Sequence, residues 1–139
     1  MALDPARSLA RVLGGMGALH FLAPEPFDKI VPRQLPGRAR AYTYASGVAE
    51  LAVAAALACP RTRRAGGLAA AGLVAAVFPA NVQMAYDWRH RPKPLKALAY
   101  GRLPLQVPLL AWALLAARQG AREQAALPAP GSTGSGPRG

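Results

Sequence analysis

The chain has 139 residues, a length suited to one domain, and 53% of them are hydrophobic, mostly Ala, Leu and Val, which suits lipid better than a soluble core. A formal charge of +11 raises nucleic-acid binding, but the cations stand in short clusters between long uncharged stretches, the pattern of helix ends at lipid headgroups, so the bilayer is the expected partner and nucleic acid is not. The single cysteine, Cys59, excludes an internal disulfide, a CxxC redox pair and a cysteine-built metal site, and reads as a small apolar residue closing a helix.

A hydrocarbon core of ~30 Å needs about 20 helical residues. The first such segment runs from about Ser8 to Ala23 and is stopped by Pro24-Glu25-Pro26. Arg7 and Arg11 precede it as in a signal peptide, but no small-x-small cleavage site follows, so an uncleaved first span is expected. The loop from Pro24 to Arg40 carries Phe27, Ile30, Val31 and Leu35 among its prolines, and reads as an interfacial segment dipping those side chains into the headgroups.

The second span covers about Ala41 to Cys59, the third Ala65 to Trp88 and the fourth Leu95 to Ala117. The connection at Arg61, Arg63 and Arg64 is very short, and Arg89-His90-Arg91-Pro92-Lys93-Pro94 is basic and proline-rich. The expected fold is all-α: an integral membrane four-helix bundle over residues 1–126, with a proline-rich interfacial segment between its first two helices. Residues 127–139, rich in Pro, Gly and Ser, read as a disordered tail. The cell (inner or plasma) membrane is the expected location. Loop cations balance at eight on each side, so the positive-inside rule does not decide orientation, and the termini are placed in the cytoplasm.

Polar residues within the spans are where chemistry is expected, because each needs a partner once removed from water. His20, Glu50, Asn81, Arg102 and Gln106 all fall in the membrane half facing loops one and three, Glu50 ~14 Å in from that side. The opposite half reads as Ala, Leu and Val. Ser46 lies one turn before Glu50, as Arg102 does before Gln106, and Pro79, Pro104 and Pro108 each remove a helical hydrogen bond. The ligand-binding set is therefore His20, Tyr44, Ser46, Glu50, Asn81, Arg102 and Gln106, in one polar pocket open toward loops one and three. Glu50 would be its acid, paired with Arg102 or bridged by His20. The competing expectation makes these residues helix glue, with small residues allowing close approach, and lets Arg102 snorkel to the headgroups. Tyr42, Tyr44, Trp88 and Tyr100 fit an aromatic belt, and two histidines so differently placed argue against bis-histidine haem. No catalytic residue and no metal ligand is assigned.

Several phrases in combination resemble a known family. Gly17-Ala18-Leu19-His20-Phe21, Pro24, Phe27, Ile30-Val31-Pro32 and Leu35-Pro36 are similar to the first span and loop of the DoxX-like family. So are Tyr44, Ser46-Gly47, Glu50, Pro60-Arg61-Thr62-Arg63-Arg64, Val77-Phe78-Pro79-Ala80-Asn81-Val82-Gln83-Met84 and Arg102-Leu103-Pro104-Leu105-Gln106. The resemblance covers roughly Val12 to Ala117. It implies a small four-helix bacterial membrane protein linked to redox processes, relatives including the membrane subunit of a quinone-reducing thiosulfate oxidoreductase. With no thiol pair, flavin motif or haem ligands in this chain, electron transfer would need a bound quinone or a redox enzyme partner. Three functions follow as expectations: an accessory redox subunit holding a quinone-like molecule, a proton-coupled small-molecule transporter acting as a homodimer, and a structural or assembly protein without a ligand.

Overall fold

A computed structural model describes residues 4–128, and these are all-helical, with no strand among them. The order is α1 (Pro5–Leu22), α2 (Glu25–Asp28), α3 (Ala39–Ala58), α4 (Arg63–Asp87) and α5 (Lys93–Ala125). The tail predicted for 127–139 lies, apart from Leu127 and Pro128, outside the described residues.

Three helices, α3, α4 and α5, are long and apolar enough to cross a membrane. The expected first span is not among them. Its 18 residues include Arg7, Arg11 and His20, which dilute an otherwise apolar sequence. α1 begins at Pro5, where the side chain of Asp4 accepts from the amides of Ala6 and Arg7 and proline at the first helical position needs no donor partner.

Packing is cyclic: α1 lies against α3 and α5, α3 against α4, and α4 against α5. Small residues set these spacings. A Cβ on Gly66 would meet the backbone of Ala56 and Leu57, which closes the tight α3–α4 hairpin. One on Gly67 would strike Ala117, and one on Gly120 would strike Arg64, so α4 and α5 run almost backbone to backbone. Ala6, Leu9, Val53, Leu57, Ala70, Ala113 and Ala116 fill the core at this end.

A polar network lies at the edge of this apolar end. Arg63, read from sequence as a headgroup cation in loop two, is 3% exposed and forms the first residue of α4. Its guanidinium donates to both Glu123 carboxylate oxygens at 2.6 and 2.7 Å and, through Nε, to the Leu57 carbonyl at 3.0 Å. Gln119 donates to Glu123 at 2.9 Å and accepts from the Ala6 amide, so the network ties α1, α3, α4 and α5 together. This pairing also explains why α5 continues eight residues beyond the expected end at Ala117. Trp112 donates to the Pro5 carbonyl at 2.9 Å and fixes the start of α1 to α5.

The three prolines within the spans do not end their helices. α4 runs through Pro79, and α5 through Pro104 and Pro108, each as one continuous helix.

Candidate functional site

Two glycines bring the first site pair together. Gly17 of α1 and Gly47 of α3 are both buried and face each other: a Cβ on Gly17 would lie 3.1 Å from the Gly47 carbonyl oxygen, and one on Gly47 3.2 Å from that of Gly17. One turn beyond, this close crossing sets His20 against Glu50, with His20 Nδ1 3.5 Å from Glu50 Oε2. The same nitrogen is 2.8 Å from the carbonyl of Met16, which can only accept. Nδ1 therefore carries a hydrogen, and Nε2 is the nitrogen left to gain or lose a proton.

The interfacial segment closes over this pair. The short helix α2 folds back so that Phe27 stacks on His20, ring centroids 3.8 Å apart and planes inclined by 24°. Phe27, expected from sequence to dip into headgroups, instead covers the imidazole. Asp28 anchors α2 to α3: Thr43 Oγ1 donates to it at 2.6 Å and Arg40 Nε at 2.7 Å. The Thr43 hydrogen bond is the main influence holding the Asp28 carboxyl below its ordinary value, with Arg40 adding and desolvation opposing.

A carboxyl lowered on folding stabilises the fold above its unfolded value and loses that contribution as pH falls through its folded one. The α2 anchor should therefore loosen as pH drops below the ordinary 3.8 of Asp28. In NMR spectra of the solubilised protein, the Phe27 ring signals should move through that transition. Asp28→Asn should abolish the low-pH step; a step that survives the substitution would assign it to another group.

The second pair lies between α4 and α5. Arg102 Nε donates to Asn81 Oδ1 at 3.1 Å, and Asn81 is only 2% exposed. Arg102 forms no ion pair with Glu50 among the described residues, and its Nε is held by Asn81. His20 and Glu50 thus form one pair, between α1 and α3, and Asn81 and Arg102 another, between α4 and α5. Among the described residues, two buried side-chain oxygens have no hydrogen-bond partner: Glu50 Oε2 and Gln106 Oε1. Both were singled out from sequence, and a buried acceptor left open is costly unless something supplies a donor.

Two other expected residues fall aside. Tyr44 is 38% exposed and stacks on Phe21 with centroids 5.2 Å apart. Ser46 is half-buried on the same helix and makes no side-chain hydrogen bond among the described residues.

The family model described as a domain of unknown function (DUF8561) matches residues 9–117. The chain belongs to that family. No curated protein and no solved structure matches it. The DUF8561 match holds all seven expected site residues and both crossing glycines, whereas Gln119, Gly120 and Glu123 of the opposite network lie beyond it.

Toward the loop side of the cluster the DUF8561 fold holds a cavity of about 950 Å³, bounded by the segment following α2, Tyr42, Met84, Trp88 and Leu95. It opens on the expected side, but none of the seven expected residues lines it. Sequence reading missed this cavity because its walls are loop residues whose apolar and basic side chains read equally well as headgroup contacts. The buried Thr43 was missed as well; its signal was a threonine on the inner face of an otherwise Ala-rich span.

Proposed function

We propose that the chain is a multi-pass protein of the cell membrane in which α1, α3, α4 and α5 form a four-helix bundle. In this reading it is an accessory subunit of a respiratory or redox-defence system, and its His20–Glu50 cluster holds a quinone-like molecule. The observation that carries the reading is the buried, unpartnered Oε2 of Glu50 beside the His20 imidazole. Three helices of spanning length and the resemblance to the DoxX-like family support the membrane and redox parts.

The chemistry suits the ligand class. A quinone gains two protons and two electrons as it becomes a quinol, whose two hydroxyls donate hydrogen bonds. Glu50 Oε2 is an acceptor awaiting a donor, so the site suits the reduced, hydroxyl-bearing form, and Gln106 Oε1 is a second open acceptor on α5. Glu50 and His20 can supply and take up the accompanying protons, with Nε2 of His20 the site that changes. Asn81 holds the Arg102 guanidinium in place. The electrons come from a partner protein, because the chain has a single cysteine and no flavin motif.

The test is titration of purified, detergent-solubilised protein with a short-chain ubiquinol analogue, read by isothermal calorimetry. Glu50→Gln removes a charged acceptor, a loss of ~1.5–3 kcal/mol, or about tenfold to a hundredfold in affinity. Gln106→Leu should weaken binding less, since it deletes a neutral acceptor. If the wild-type protein carries no quinone after gentle extraction and binds no analogue, the redox reading fails, and Glu50-dependent proton-coupled transport by a homodimer becomes the reading to examine.

A further inference from the structure

The cavity of about 950 Å³ is distinct from the His20–Glu50 cluster and has a character of its own. Its walls come from the ends of the three span-capable helices: Ala39 at the start of α3, Asp87 at the end of α4 and Leu95 in the first turn of α5. A cavity in that position sits at headgroup level if those helices cross a bilayer, whichever way α1 runs.

Its lining is amphiphilic. Lys29, Arg33 and Arg91 supply three cations, none of which has an ion-pair partner among the described residues. Of its two carboxylates, Asp28 is already engaged by Arg40 and Thr43. Asp87 accepts only from the neutral Gln83 amide. Positive charge is therefore in excess. Beside it stand Ile30, Leu35, Trp88 and Leu95, an apolar wall with an indole of the kind enriched at membrane interfaces.

We infer that this cavity is a binding site for one anionic phospholipid, its phosphate held by Lys29, Arg33 and Arg91 and the start of its acyl chains lying on Ile30, Trp88 and Leu95. A free inorganic phosphate would use the cations but not the apolar wall, and it would fill little of a space at the upper end of ligand cavities, about 300–1,000 Å³. Basic residues near the bilayer surface attract anionic headgroups, and here three of them line one cavity. The inference needs the membrane reading but not the redox one, and the lipid experiment below can fail while quinol binding succeeds, or the reverse.

The experiment is native mass spectrometry of protein released from micelles containing equal amounts of dioleoylphosphatidylglycerol and dioleoylphosphatidylcholine. The wild-type chain should retain one phosphatidylglycerol in preference to phosphatidylcholine. The combined Lys29→Gln, Arg33→Gln and Arg91→Gln variant should lose that retention by at least about tenfold. A variant with Arg61→Gln and Arg64→Gln, cations at the opposite end, should bind like wild type. Equal retention of the two lipids, or an equal loss in the control variant, would overturn the site. Displacement of the lipid by millimolar inorganic phosphate would overturn the lipid in favour of free phosphate.

Should the triple variant not fold, Trp88 gives an independent reading. In a Trp112→Phe background it is the sole tryptophan. Its fluorescence should be quenched more by brominated phosphatidylglycerol than by brominated phosphatidylcholine in bilayers of matched thickness. Equal quenching by the two lipids overturns the inference without any change to the cavity.

Discussion

Glu123→Ala should destabilise the fold by ~2–4 kcal/mol, more than any other single side-chain truncation outside the core. Arg63 is 3% exposed and its Nη1 donates to both oxygens of Glu123; removing the carboxylate leaves a buried cation supported, among the described residues, only by the carbonyls of Leu57 and Ala58. Breaking such a pair costs ~3–5 kcal/mol when both ends are buried, and the figure for Glu123 is somewhat lower because about a third of its side chain meets solvent. The measurement is unfolding in dodecylmaltoside micelles titrated with sodium dodecyl sulfate. Replacing both partners, Arg63→Met with Glu123→Gln, removes the orphaned charge and should recover most of the loss. A double variant as unstable as Glu123→Ala alone would show that the network's geometry, not the buried charge, sets the stability.

That network marks the boundary of what the sequence discloses. The helices of α3, α4 and α5 were legible from hydropathy and length to within a few residues at most ends, because membrane-length apolar runs leave little alternative. The end of α5 was not. The fourth span was expected to end at about Ala117, and the return of Arg63 onto Glu123 makes another two turns of helix favourable. Within the run Arg61, Arg63 and Arg64 nothing local distinguishes the buried member from its neighbours, since burial there depends on how α4 meets α5 at Gly67 and Gly120.

For the polar residues within the spans, the sequence picks them out but does not pair them. His20, Glu50, Asn81, Arg102 and Gln106 stood out as polar residues in apolar surroundings, and the structure leaves the acceptor oxygens of Glu50 and Gln106 unpartnered. Which residue faces which depends on crossing angles and rotations that periodicity alone does not fix. Arg102 was expected at Glu50 or at the headgroups and is bonded to Asn81. Phe27 was expected among the headgroups and stacks on His20, because two hydrogen bonds to Asp28 draw α2 against α3.

The crossing at Gly17 and Gly47 is the feature on which the His20–Glu50 pair depends, and Gly47→Leu should dismantle it while leaving every polar residue in place. A Cβ at Gly47 would lie 2.8 Å from that of His20 and 2.7 Å from the Phe21 ring. Phe21 is on the outer side of α1, 40% exposed, and can swing away; the His20 Cβ moves only with the helix. An isobutyl group there must therefore push α1 off α3, at ~1–3 kcal/mol of overpacking, and carry Nδ1 of His20 out of reach of Glu50. The reporter is the His20 imidazole signal in NMR, with His90 the only other histidine. In the wild-type background, Glu50→Gln should shift that signal; in the Gly47→Leu background it should not, and quinol binding should fall at least as far as in Glu50→Gln. Gly15→Leu is the matched control, since a Cβ there meets nothing within 4 Å. If His20 still responds to Glu50 in the Gly47→Leu protein, the two side chains reach each other without the close crossing, and the pair owes its geometry to α2 and Phe27 instead.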